Sequence, residues 1–158
     1  MANADQMQVN KSIVTRFNKE VIEGGNASTF KELMAPSFVN RSAPPGMPTG
    51  PEGMQYFFEK MLRPALPDLR VDIHEQVAEG DWVTTRKTIR GTHRGELMGL
   101  PATGKAVAIE VIDMIRVKDG RYVEHCSLQH PGEPVLSERD YYSQYVSRRY
   151  GSGPTRCC

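Results

Sequence analysis

The stretch Val107-Ala108-Ile109-Glu110-Val111-Ile112-Asp113-Met114-Ile115-Arg116-Val117 decides how this chain is read. Successive side chains of a strand point to opposite faces, so Val107, Ile109, Val111, Ile115 and Val117 share one face. Asp113 stands in the middle of that apolar row. A carboxylate there is either solvated at a cavity or paired in a core. Left buried and unpaired, it would be costly enough to shift its pKa instead.

Working outward, Asp81 to His130 reads as strand, glycine-rich crossing, long strand, tight turn and return strand. Trp82 to Thr92 is the first of these strands, Gly91 to Gly104 the connection, and Ala106–Val117 with Arg121–His130 the last hairpin. A three-residue loop Lys118-Asp119-Gly120, with Gly120 in the left-handed region, places Asp113 opposite His125. A two-residue Asp119-Gly120 turn places it opposite Cys126, and the three-residue loop is preferred. Upstream, Leu69, Val71, Ile73, Glu75 and Val77 alternate with Arg70, Asp72, His74 and Gln76, as in a half-buried antiparallel strand. A three-residue turn at Glu79-Gly80-Asp81 would put Val83, Thr85, Lys87 and Ile89 on the face of Val77 and Glu75. In another register Lys87 would be a solvated surface lysine.

The chain before Pro67 is helical in pattern. Val9, Ile13, Phe17, Val21 and Ile22 recur at helical spacing from Gln8 to Glu23, and Gly24-Gly25 ends that helix. Asn26 or Ser28 caps a short second helix carrying Phe30, Leu33 and Met34, which Pro36 closes. Phe38-Val39-Asn40 is a brief extended piece. The prolines and glycines of residues 42–50 make a loop. Pro51 opens a third helix over about Glu52 to Leu62, which Pro64 and Pro67 break. Glu138 to Arg149 reads as a terminal helix or arm. Residues 1–135 therefore form one domain, and 136–158 an arm and an unstructured tail. Helices first and antiparallel strands after predict an α+β fold. A curved, mostly antiparallel sheet wraps around the N-terminal helices and leaves an internal pocket at its wide end.

Composition sets the outer bounds. At 158 residues with a formal net charge of +1, the chain suits one core and shows no basic stripe for nucleic acid. No run approaches the roughly 18 apolar residues of a membrane span. The first residues lack the basic and then apolar regions of a signal peptide, so a cytoplasmic protein is expected. Cys126, Cys157 and Cys158 make neither a disulfide framework nor a zinc spacing, and the scattered histidines give no metal site.

Several segments together resemble one family. They are Phe38-Val39-Asn40, Pro44-Pro45-Gly46, Gly50-Pro51-Glu52-Gly53, Pro67-Asp68-Leu69 and Ala78-Glu79-Gly80-Asp81, then residues 91–105, Asp119-Gly120-Arg121 and Glu124-His125. In order and spacing they resemble the SnoaL-like polyketide cyclases and ester cyclases, over about Val9 to His130. The resemblance implies the cone-shaped fold of nuclear transport factor 2 and ketosteroid isomerase. It also implies a homodimer through the sheet, a deep apolar pocket for a small hydrophobic molecule, and no cofactor. The cyclases carry an aspartate acid/base two residues after the histidine that matches His125. Here that position is Ser127, whose hydroxyl cannot take a substrate proton at neutral pH without an adjacent base.

Deprotonation beside a carbonyl needs a base and a donor for the developing enolate oxygen. Asp113 and His125 are the catalytic candidates, with Asn40, Phe17, Lys87 and Ser127 as candidates to bind the ligand. In one arrangement Asp113 stays neutral and donates to a substrate oxygen while His125 is the base. The handling of a neutral acid in ketosteroid isomerase, a different protein, is the same device. In the other, Asp113 pairs with Lys87 or His125 and only organises a polar patch. The family pattern and Asp113 point to a cyclase or isomerase; Ser127 in place of the cyclase aspartate points to a non-catalytic protein that binds a hydrophobic ligand.

Overall fold

The structure, a computed structural model, describes residues 3–97 and 99–131. The expected terminal arm and the 135/136 boundary lie outside them. Helix α1 (Ala4–Arg16) starts on an Asn3 cap and runs on, π-wound, through Phe17–Glu23. It is longer than the apolar spacing alone predicted. Along this half Phe17, Asn18, Val21 and Ile22 turn inward together. Gly25 at φ 69° ends it, and the Arg63 guanidinium bonds the last carbonyls, of Val21, Ile22 and Glu23. Asn26 caps α2 (Ala27–Leu33) by accepting from the Ser28 and Thr29 N–H groups, a contact worth about 1 kcal/mol.

Strand β1 (Met34–Asn40) is longer than the expected extended piece. Helix α3 (Pro51–Tyr56) continues π-wound over Phe57–Leu62 and ends in a turn at Arg63–Ala65. Pro64 therefore sits within the last turn instead of breaking the helix. The π-winding before it relaxes the ladder that a proline ring would strike.

Strands β2 (Arg70–Glu79), β3 (Trp82–Thr92), β4 (Ala106–Lys118) and β5 (Arg121–Pro131) complete a five-stranded sheet in the order β1-β5-β4-β3-β2. All neighbours are antiparallel except β1 and β5, which run parallel, so the sheet is mixed and the fold is α+β. The helices cover one face. There Val71, Val83, Ile89, Val107, Val111, Ile115 and Val117 bury against Val14, Phe17, Phe30, Met54 and Leu62. The other face leaves Val77, Ile112, Met114 and Leu128 exposed.

Four local features, two turns and two bulges, correct the expected pairings. Glu79 pairs with Trp82, so the β2–β3 turn has two residues, Gly80 and Asp81. A bulge between Ile73 and Glu75 then reverses the later part of β2. Ala78 and Gln76, not Val77 and Glu75, lie beside Val83 and Thr85, and Val77 is 65% exposed. Val83, Thr85, Lys87 and Ile89 do share the buried face as expected.

In the last hairpin Lys118 pairs with Arg121 across a two-residue turn. Asp119 and Gly120 have φ of 49° and 74°, as a type I′ turn requires. A second bulge, at Val123, shifts the register once more. Asp113 therefore faces Ser127, and neither His125 nor Cys126 as the two turn readings had it.

Candidate functional site

Asp113 lies on the middle strand of the sheet and points to the helix-covered side, 5% exposed. Lys87 stands one strand over, and its Nζ donates to Asp113 Oδ2 at 2.6 Å and to Asn18 Oδ1 at 2.6 Å. Asn18 is held in turn, its Nδ2 donating to the Val14 carbonyl at 2.8 Å. This buried trio decides between the two arrangements: Asp113 is paired with Lys87. The other carboxylate oxygen, Oδ1, is buried and has no partner among the described residues.

His125 belongs to the same face, opposite Ile115 and two residue pairs along from Asp113 and Ser127. Its Nδ1 lies 2.8 Å from Asn40 Oδ1. That oxygen also accepts from the Ser42 backbone N–H at 2.9 Å, which fixes which way the Asn40 amide points. An oxygen can only accept, so Nδ1 carries the ring proton and Nε2 keeps its lone pair. Burial pushes the His125 pKa down to about 4; the Asp113 charge opposes this and Lys87 adds to it. The imidazole is thus neutral at neutral pH and offers a base at Nε2.

The backbone around Asn40 explains why it stays in place. Its N–H donates to Thr49 O at 2.7 Å, and the Arg41 N–H donates to His125 O at 2.8 Å. The proline- and glycine-rich loop therefore closes back onto the end of β1. It can lie on α3 because Gly53 has no side chain: a Cβ there would stand 1.9 Å from the Pro48 carbonyl oxygen.

Among the other expected ligand-binding residues, Phe17 is 2% exposed and belongs to an aromatic cluster. Its ring stacks on Tyr122 at 4.3 Å and meets Phe30 and Phe58 at 6.0 and 6.1 Å. Ser127 is partly buried, and its backbone N–H donates to Ser42 Oγ at 2.8 Å. Asn40 serves His125 directly. His93 is buried in the glycine-rich connection, where its Nδ1 lies 3.1 Å from Thr103 Oγ1. Two cavities lie elsewhere, one among Val21, Phe30, Phe58 and Arg63, the other along α1 at Val9 and Ile13. Neither is lined by Asp113 or His125. Among the described residues no group of histidines, cysteines and carboxylates could hold a metal ion, and no helix is long and apolar enough to cross a membrane.

Sequence reasoning missed two members of this face. Asn18 lies four residues after Val14 and four before Ile22, on the inward stripe of the helix, but a polar residue does not register in a search for apolar spacing. Tyr122 was hidden because the preferred three-residue loop turned it to the other face, whereas the two-residue turn pairs it with Val117. Burial pushes the Tyr122 hydroxyl well above the usual phenol range, and the Asp113 charge adds to this.

Comparison with known proteins agrees with this architecture. The pattern of the SnoaL-like polyketide cyclase family matches residues 12–129, and the chain belongs to that family. A second pattern, described as "Selenoprotein, putative", matches residues 120–158. The chain is similar to aklanonic acid methyl ester cyclase DnrD of Streptomyces peucetius, 39% identical over 51 residues, 32% of this chain and 35% of that protein. The matched stretch thus spans about a third of that curated relative's length. Among solved structures, IdmH from Streptomyces antibioticus superposes with a TM-score of 0.66 at 33% identity, covering 76% of this chain and 91% of its own. TsrD from Streptomyces laurentii gives a TM-score of 0.71 at 19% identity, over 94% of this chain and 97% of its own, and shares the fold.

Proposed function

We propose that this protein moves a proton at a carbon beside a carbonyl, without a cofactor, on an apolar polyketide-like compound, as a cyclase or isomerase does. His125 Nε2 takes the proton. The observation that carries this reading is the Ser42–Asn40–His125 chain of hydrogen bonds, which holds a neutral imidazole in one tautomer. A base whose conjugate acid has a pKa of about 4 is weak, so it suits an acidic C–H, such as one flanked by two carbonyls. The Lys87–Asp113 pair supplies a fixed field beside it and is not the base. The names of the relatives support a substrate of this kind.

A second reading, binding without turnover, is favoured by Lys87 holding Asp113 and by Ser127 where the cyclases carry aspartate. Deuterium exchange at the central carbon of an apolar 1,3-diketone, followed by NMR, separates the two. The wild type is expected to accelerate exchange, and His125→Gln to lose about 100-fold or more of that rate. Binding of the diketone with no exchange would establish the second reading. Equal rates in both proteins would remove His125 from the chemistry.

A further inference from the structure

Cys126 stands outside the proton-transfer scheme, on the other face of the sheet. It pairs with Met114 across β4 and β5, beside the Ile112–Leu128 pair, and shares their outward direction. It is partly buried there, and it is disulfide-bonded. A disulfide needs a second cysteine, and the chain has two more, the adjacent pair Cys157-Cys158. The spacing of the three gave no framework, and a single bond does not make one.

Geometry chooses among the possible pairings. Adjacent Cα atoms lie about 3.8 Å apart across a trans peptide, short of the roughly 4.4–6.8 Å that an unstrained disulfide spans. Cys157 and Cys158 are therefore poor partners for each other, and either is open to Cys126. Reach is no obstacle. At about 3.4 Å per residue, Cys126 lies about 17 Å back along β5 from Pro131. A coil of the length of residues 132–156 spans on the order of 25–30 Å, so the pair can return that far. A tether whose span is close to the distance it bridges gives the second thiol a high effective concentration. The second family pattern, over residues 120–158, takes in all three cysteines.

We propose that Cys126 and the Cys157-Cys158 pair form a thiol–disulfide exchange site for small-molecule disulfides and thiols. One thiolate of the pair attacks a sulfur of the small disulfide; that S–S bond breaks, one small thiol leaves, and a mixed disulfide forms. The Cys126 thiolate then attacks the cysteine sulfur of the mixed bond and releases the second small thiol. Two electrons pass from the chain to the small disulfide, and the two cysteine protons end on the released thiols. Because Cys126 bonds only one member of the pair, a thiol always remains beside the link. That thiol can attack the Cys126 sulfur and trade places with its neighbour, which makes the link labile. Arg156, next to the pair in sequence, favours the thiolate that does this.

The test mixes the fully reduced chain with one equivalent of oxidised glutathione and measures the reduced glutathione set free. Remaining thiols are alkylated, and tryptic peptides are weighed by mass spectrometry. The wild type is expected to release two equivalents and to link peptide 122–139 to the Cys157-Cys158 dipeptide. Cys126→Ser stops at the mixed disulfide and should release half as much while keeping glutathione on the chain. The Cys157→Ser/Cys158→Ser variant, which leaves the sheet untouched, should do the same, whereas either single change keeps a link through the remaining cysteine. Excess reduced glutathione should then reopen the wild-type link, since a fixed structural disulfide resists it. Equal release from the wild type and Cys126→Ser overturns the proposal. So does a bond between Cys157 and Cys158, a link between two chains on a non-reducing gel, or a link that reduced glutathione leaves closed.

Discussion

At the scale of single residues, His125 ties electrostatics to pH. The folded protein keeps its imidazole neutral down to about pH 4, while the unfolded chain protonates it near 6.5. Between those values the unfolded state binds more protons, so stability falls as the pH drops through that window. The loss attributable to His125 reaches up to about 3 kcal/mol at its lower end. Denaturant titrations at a series of pH values should show that slope in the wild type and a shallower one in His125→Gln. The exchange rate of a diketone, by the same reasoning, should stay level from neutral pH to about pH 5, where an ordinary histidine would already have lost its lone pair. Asn40→Asp replaces the neutral acceptor with a charged one and should move the fall in rate to higher pH. Lys87 makes a different prediction. Lys87→Met strands a buried carboxylate, and should cost about 3–5 kcal/mol by equilibrium unfolding. Adding Asp113→Leu to it should recover most of that loss, since a buried ion pair replaced by apolar groups is often neutral.

At the scale of elements, the departures from simple periodicity are what assemble the site. The alternation of β4 was legible, because an apolar row with one aspartate reads the same in sequence and structure. So was the burial of Lys87 on β3. The hairpin partner of Asp113 was not legible, since turn length and the Val123 bulge each shift the register by one residue and a one-residue slip exchanges the faces. The bulge in β2 acts likewise on Val77. The first helix brings Asn18 to Lys87 from its inward stripe, where a search for apolar spacing passes over a polar residue. The loop after β1 depends on a close backbone approach. Gly53→Ala should therefore push Pro48 off α3, destabilise the protein by about 1–3 kcal/mol, and loosen Asn40. Hydrogen exchange at the Asn40 amide, which bonds Thr49 O, would report that loosening; unchanged protection would show that the loop does not hold Asn40.

At the scale of the molecule, the helix-covered face of the sheet carries the proposed site and the opposite face carries exposed apolar side chains. Ile112 and Leu128 are cross-strand neighbours there, with Met114 beside them. We propose that a second copy of the chain covers this patch, as the family resemblance implies. Sedimentation equilibrium is expected to give a dimer for the wild type and a monomer for Leu128→Arg, and a monomeric wild type would discard the interface. The two family patterns overlap over residues 120–129, the last turn residue and most of β5. The strand that carries Tyr122 and His125 therefore lies in both matches.

The sequence by itself determined the α+β class, the family, the run of the helices and strands, and the inward aspartate, because apolar periodicity and turn residues are local properties. Only the tertiary structure decided what Asp113 touches, which tautomer His125 holds, and that Asn18 and Tyr122 join them. Those outcomes depend on bulges and turn length. Each is a shift of a single residue that leaves composition and pattern almost unchanged while reversing which way a side chain points.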